Sequence, residues 1–145
     1  MKLLRIATKS GTVYDLAQRA SGFYSTTYRG ESILMAVVGP ERESLCMDTL
    51  TRGRKITKSL SPSGDKALGF EGSKATLEAR EPKLGWKLFG FTQKGRALRL
   101  STTIVSITPS DLSDGVVEAR HDTLGSALAR QVMGIHQKRR QPWNT

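Results

Sequence analysis

The sequence predicts a mainly β (α+β) fold, in which an antiparallel, hairpin-built sheet or small barrel carries one C-terminal amphipathic helix. Three observations predict this. Short runs of β-branched and aromatic residues recur along the chain, glycine-containing turns separate them, and helical spacing of apolar residues begins only after residue 122. A length of 145 residues is typical of one domain. We therefore expect a single basic β-rich domain over residues 1–140, followed by a short tail at residues 141–145.

Two β-hairpins are predicted near the N-terminus. In the first, Lys2–Thr8 and Thr12–Leu16 flank a turn whose glycine suits a short hairpin loop. In the second, Phe23–Tyr28 is rich in aromatic and β-branched residues, and residues 29–32 make the turn into Ile33–Val38. That last run is apolar throughout and does not alternate, which is typical of a strand buried on both faces. It is the best core candidate in the chain.

The segment that follows Gly39 fits two structures. Residues 40–43 resemble the first turn of a helix, because a proline comes early and acidic residues lie near the positive end of the dipole. The apolar residues of 45–51 suit a strand equally well, since short apolar runs do not distinguish the two. We favour the strand, which would turn at residues 52–54 into a second strand at Lys55–Leu60.

Further strands and one helix are predicted in the rest of the chain. One or two short strands are expected within residues 67–80. The clearest hairpin runs from Trp86–Thr92 through a glycine-containing turn into Arg96–Thr108. A helix is predicted over Thr123–Lys138, where apolar residues recur at helical spacing and form one stripe, at Leu124, Leu128, Val132 and Ile135.

The charge is the composition feature that bears most directly on function. The chain has 23 basic and 13 acidic residues, a formal net charge of +10, and both halves have an excess of cations. Such a charge favours encounters with polyanions, nucleic acid in particular. The single cysteine, Cys46, allows no intramolecular disulfide, and no apolar run is long enough to span a bilayer. We therefore expect a cytoplasmic protein.

The sequence contains no motif typical of catalysis. His121 and Asp122 are adjacent, so their side chains leave opposite sides of the backbone, and His136 lies too far along the chain for a metal-binding spacing. No phosphate-binding glycine loop or nucleophile elbow is present. We expect a non-enzymatic binding module with no cofactor, no metal ion and no catalytic residues.

The main candidate for nucleic-acid binding is the hairpin at residues 83–99, where cations alternate with aromatic residues and no acidic residue occurs. Aromatic rings can stack on bases while cations follow the phosphates. The alternative interpretation is that the rings belong to the core and the cations are solvated. The candidate residues are Lys83, Trp86, Lys87, Phe89, Phe91, Lys94, Arg96 and Arg99.

Two further basic clusters are candidates for phosphate contacts. One is the turn at residues 52–58, expected at a hairpin tip, with Arg52, Arg54, Lys55 and Lys58. Its alternative role is to keep the sheet edge from pairing with other strands. The other is the end of the C-terminal helix, with Lys138, Arg139 and Arg140, which would equally complement the helix dipole.

A second class of function is compatible with the same sequence. A tryptophan near a chain end is rarely left in water, so Trp143 is a candidate partner-binding residue. The chain would then be a structural or regulatory subunit of a phage particle or another large assembly, and its hairpins and tail would contact protein neighbours. The predicted partners are thus nucleic acid first, and protein neighbours as the alternative.

Overall fold

A computed structural model describes residues 2–60, 66–110 and 119–121 of the protein. A 3-10 turn at Pro40–Arg42 leads into one helix, α1, at Glu43–Arg52. The strands are β1 Leu3–Thr8, β2 Thr12–Gln18, β3 Tyr24–Tyr28, β4 Glu31–Val38, β5 Ile56–Leu60, β6 Lys66–Phe70, β7 Thr76–Glu78, β8 Lys87–Phe91, β9 Ala97–Leu100, β10 Ile104–Pro109 and β11 Ala119–His121.

The described strands form two antiparallel sheets. The larger has the order β10-β1-β2-β3-β4-β8-β9, and β11 pairs with the first half of β2, where β2 has diverged from β3. The smaller has the order β5-β6-β7. Hairpins connect β1 to β2, β3 to β4 and β8 to β9, and β5 pairs with β6 antiparallel. The predicted mainly β, antiparallel, hairpin-built architecture is therefore confirmed.

The larger sheet is strongly curled but does not close into a barrel. β9 and β10 stand at opposite ends of its strand order, and no ladder joins them in the described ranges. Two backbone hydrogen bonds join β10 to the segment just before β8 instead: the Ile104 amide donates to the Trp86 carbonyl at 2.7 Å, and the Gly85 amide donates to the Ile104 carbonyl at 2.8 Å. Of the two predicted alternatives, the sheet is observed and the closed barrel is wrong.

The strand predicted within residues 40–51 is also wrong, because this segment is helical. Proline at the start and Glu43 in the first turn favour a helix, and Gly53 ends it in the left-handed conformation, at φ 63°. Cys46 and Thr49 are buried, whereas Met47, the middle of the apolar run, is half-exposed. Buried positions three residues apart are typical of a helix, but the apolar run is too short for the sequence alone to show this period.

The helix that the structure describes therefore lies mid-chain. The predicted C-terminal helix, Thr123–Lys138, falls outside the described residues. None of the described helical residues forms a helix long and apolar enough to cross a membrane.

Strand β4 separates two hydrophobic cores, as its uninterrupted apolar sequence predicts. Ile33, Met35 and Val37 face the first core, which lies on the concave side of the curled sheet. Ala36 and Val38 face the second core, on the other side. The neighbouring strand β8 also contributes to both cores, since alternate strand residues point to opposite faces.

The smaller sheet and the helix cover the second core. Ile56, Leu68 and Leu77 from that sheet and Cys46 from the helix pack against β4 and β8. Three phenylalanine rings cross the interface: Phe70 and Phe89 are 6.3 Å apart between ring centres, and Phe89 and Phe91 are 5.9 Å apart. The contact between the two sheets is thus apolar and partly aromatic.

Replacing Phe89 with alanine is expected to destabilise the fold by about 3–5 kcal/mol, because its fully buried ring joins the two sheets. Urea denaturation followed by circular dichroism measures this loss. Leu84→Ala is the matched control, since Leu84 is 64% exposed and its truncation should change stability by less than about 0.5 kcal/mol. Equal effects of the two substitutions would contradict this assignment of the second core.

Tyr24 gives a prediction for alkaline pH. Burial, with a smaller effect of the Glu81 carboxylate, raises the pKa of Tyr24 from 10.0 to about 12. The unfolded state therefore ionises first, so stability is full below pH 10 and declines toward pH 12. Between pH 8 and pH 11 the wild type should lose about 1 kcal/mol more stability than Tyr24→Phe, as measured by urea denaturation at both pH values. Equal losses in the two proteins would count against this shift.

Candidate polyanion-binding site

Two cations near the start of the predicted 83–99 segment, Lys83 and Lys87, already have partners within the protein. The Lys87 ammonium forms a 2.8 Å ion pair with Glu43 at the start of α1. Lys83 and Arg80 lie over the Trp86 ring, at 5.0 Å and 5.6 Å from its centre. Trp86 itself is half-buried and packs against the first core. Lys87, Lys83 and Trp86 thus have structural contacts that nucleic acid would have to displace.

The arginines of the predicted 52–58 turn do not lie at a hairpin tip. Arg52 is the last residue of the helix, and its Nε is 2.7 Å from Asp48 Oδ1. Arg54 Nε is 3.0 Å from Asp48 Oδ2, and Arg54 Nη1 donates to the Glu71 carbonyl at 3.1 Å. The hairpin-tip prediction is therefore wrong, because this segment is the end of a helix. Arg54 connects that helix end to the turn that follows β6.

The two phenylalanines of the predicted site are core residues. Phe89 is fully buried between the sheets, and Phe91 is 2% exposed. Arg99 lies toward the concave face of the larger sheet, near Gly90 and Met35. Burial raises the pKa of Tyr14, and the Arg99 guanidinium partly offsets that rise. Full-face stacking of bases on Phe89 and Phe91 is therefore not available in this structure.

The structure does bring the two predicted basic segments together. The Ile56 amide donates to the Gly95 carbonyl at 2.8 Å, and Lys55 pairs with Arg96 in an antiparallel bridge. The start of β5 is thereby attached to the turn between β8 and β9. Lys55, Lys94 and Arg96 are exposed and come from segments about 40 residues apart in the sequence. They form one basic cluster, which we call the junction cluster.

Gly95 allows this close approach. It has φ 91°, and a Cβ at this position would collide with the Ile56 carbonyl group. Only glycine meets both requirements without strain. The turn itself is supported by Thr92, whose hydroxyl accepts a hydrogen bond from the Arg96 amide at 3.0 Å.

A cleft of about 390 Å³ opens beside the junction cluster. Its apolar residues come from both sheets, and its polar residues are lysines, hydroxyls and an amide. The lining residues are Leu34, Lys55, Ile56, Thr57, Leu68, Phe91, Thr92, Gln93, Lys94 and Gly95. The cleft is therefore an apolar cavity with a basic rim.

No carboxylate lines this cleft, and no ion pair of Lys55, Lys94 or Arg96 occurs among the described residues. The acidic residue Glu71 contacts Lys55 through the backbone, since its amide donates to the Lys55 carbonyl at 2.9 Å. Elsewhere in the described ranges, Lys2, Arg5, Arg80 and Lys87 all have carboxylate partners. The positive potential at the cleft is thus uncompensated by carboxylates of the described residues.

Sequence reasoning predicted the basic residues of this site and Phe91, which lines the cleft, but missed its other members. Thr57, Gln93, Leu34 and Leu68 have no signal of their own, because each is an ordinary strand or turn residue until the two sheets meet. The backbone of Lys58 lies in β5, opposite Leu68. The remaining predicted residues, Lys138, Arg139, Arg140 and Trp143, lie outside the described ranges. In the part of the chain that the structure describes, no group of side chains could hold a metal ion.

Comparison with known proteins adds no relative: no family model, no curated protein and no solved structure matches this chain.

Replacing Gly95 with alanine is expected to separate the β8–β9 turn from β5 and to lower stability by more than about 1 kcal/mol. Gly30→Ala is the control, because Gly30 has φ 81° but open space around the added Cβ. The difference between the two variants in urea denaturation therefore isolates the collision with Ile56. Equal destabilisation would mean that the positive φ alone matters and that the junction tolerates a side chain.

Proposed function

We propose that this protein is a non-enzymatic module that binds nucleic acid, and that the junction cluster provides its phosphate contacts. The observation that carries the proposal is the convergence of Lys55, Lys94 and Arg96 beside a cleft that no carboxylate lines. Lysine and arginine are the side chains that most often contact phosphates. The net charge of +10 supports the same class of partner, since it accelerates encounters with polyanions.

The ion pairs of the other cations predicted to bind nucleic acid support limiting the phosphate contacts to the junction cluster. Ion pairs with Asp48 and Glu43 offset the charges of Arg52, Arg54 and Lys87. Breaking such pairs to reach a phosphate would cancel part of the gain in binding energy. Cations without a carboxylate partner carry no such cost. We therefore assign the phosphate contacts to the junction cluster, whose cations form no ion pair among the described residues and lie together beside the cleft.

The chemistry of the cleft supports binding rather than catalysis. Its lining side chains include hydroxyls, an amide and ammonium groups but no carboxylate or imidazole, the usual general bases. Cys46 lies in the second core, away from the lining, and burial followed by the Glu43 carboxylate raises the pKa of its thiol to about 12. A thiol with such a pKa is a poor nucleophile near neutral pH.

The test compares two double variants of equal net charge. Lys55→Gln/Lys94→Gln removes two cations of the site, and Lys9→Gln/Lys74→Gln removes two exposed lysines that do not line the cleft. The first should weaken binding of a mixed-sequence polynucleotide by about tenfold or more and reduce the salt slope by about 1.4–1.8. The second should change affinity by less than about threefold. Fluorescence anisotropy over a range of salt concentrations measures both quantities.

Two outcomes would overturn the proposal. If the two double variants bind equally, the affinity comes from the overall charge and not from the junction cluster. If the wild type binds no polynucleotide at low salt, it is not a nucleic-acid-binding module. In the latter case, native purification with and without nuclease, followed by particle-mass measurement, would detect an assembly subunit instead.

A further inference from the structure

The cleft beside the junction cluster has an apolar floor that phosphate contacts alone do not explain. Leu34 and Phe91 contribute to it from the larger sheet, and Ile56 and Leu68 from the smaller. A surface that binds only the backbone of a polyanion needs cations and hydrogen-bond donors. An apolar cavity at the centre of such a surface instead favours a group that is itself partly apolar.

The size and position of the cleft restrict what that group can be. A volume of about 390 Å³ lies at the lower end of the range of small-molecule sites, which is about 300–1,000 Å³. Lys55 and Lys94 stand on its rim, whereas the apolar residues lie deeper and are mostly buried. The matching ligand has a compact, partly apolar group next to a negative charge. Within a nucleic acid, a base next to its own phosphate has this arrangement.

A base in a duplex cannot enter such a cleft. Paired bases remain stacked and present only their edges in the grooves, while an unpaired base can leave the stack and be held by protein side chains. Polar groups at the mouth also suit base edges: Thr57 and Gln93 are exposed and line the cleft. Both can donate and accept hydrogen bonds. The Gln93 amide reaches Ser32 Oγ only at 3.4 Å, a weak contact that a ligand could replace.

We propose that the cleft receives one unstacked base of a single-stranded nucleic acid, while Lys55, Lys94 and Arg96 hold the flanking phosphates. This inference rests on the proposed nucleic-acid binding and specifies its form. Because Phe91 is nearly buried, the base contacts the apolar floor between the two sheets and does not stack on an open ring. Specificity for single strands then follows from the need to unstack the base.

The first measurement needs no variant. Three labelled probes are compared by fluorescence anisotropy with the wild-type protein: a single strand of about 12 nucleotides, an abasic strand with the same number of phosphates, and a duplex. The base-bearing single strand should bind about tenfold more tightly than the abasic strand and the duplex, since burying a base against protein adds to the phosphate contacts. Equal binding of the base-bearing and abasic strands would overturn the inference, as would tighter binding of the duplex.

The second measurement locates the base. Thr57→Trp places an indole on the rim of the cleft, at an exposed strand position opposite Gly69, where an aromatic residue is tolerated in a sheet. Val105→Trp is the control, because Val105 is an exposed strand residue on β10, at the other end of the larger sheet from β8 and β9. The wild-type spectrum provides the background of Trp86 and Trp143.

The base-bearing strand should quench the emission of Thr57→Trp, and the abasic strand should not, whereas Val105→Trp should respond to neither. Equal quenching in the two variants, or no quenching in a Thr57→Trp protein that still prefers the base-bearing strand by anisotropy, would show that the base lies elsewhere and would overturn the inference. Loss of that preference in Thr57→Trp alone would support the inference, because the indole then occupies the cleft. Failure of this proposal is distinguishable from failure of the proposed function. If only the base preference is missing, the abasic strand still binds with its salt dependence; if the function is wrong, none of the three probes binds.

Discussion

The burial of strand β4 on both faces is the constraint on which the rest of the structure depends. An eight-residue strand whose last six residues are apolar needs cover on both sides. The larger sheet provides one cover by curling, so that β1, β2 and β10 pack over Met35 and Val37. The smaller sheet and α1 provide the other, over Ala36 and Val38. Burying each of the valine and methionine side chains contributes about 1.5–3 kcal/mol, so removing either cover would destabilise the fold.

The second of these covers also creates the candidate site. Because the smaller sheet packs over β4 and β8, its first strand meets the β8–β9 turn, and Gly95 lets the two backbones approach. The cleft is the gap that remains where the two sheets separate at this junction. Carboxylates pair with cations elsewhere, such as the buried Asp15 with Arg5 at 3.0 Å and Glu43 with Lys87. Lys55, Lys94 and Arg96, in contrast, form no ion pair with a carboxylate of the described residues.

Local sequence features predicted the hairpins because a hairpin is specified by a turn and the two runs beside it. The same reasoning was wrong for residues 40–51, where a short apolar run fits both periods and the buried positions, Cys46 and Thr49, follow the helical one. It also assigned Phe89 and Phe91 to binding. Alternation placed both rings on one face correctly, but it could not show that the smaller sheet covers that face.

The sequence by itself determined the antiparallel hairpins, the strand buried on both faces, the basic character and the residues Lys55, Lys94 and Arg96 as candidates. These follow from local period, turn chemistry and composition, which act between residues close together in the chain. Only the tertiary structure decided which cations have carboxylate partners, which aromatic rings are core, and that two distant basic segments share one cleft. Those outcomes depend on packing between the two sheets, and long-range packing leaves no short-range pattern from which it could be read.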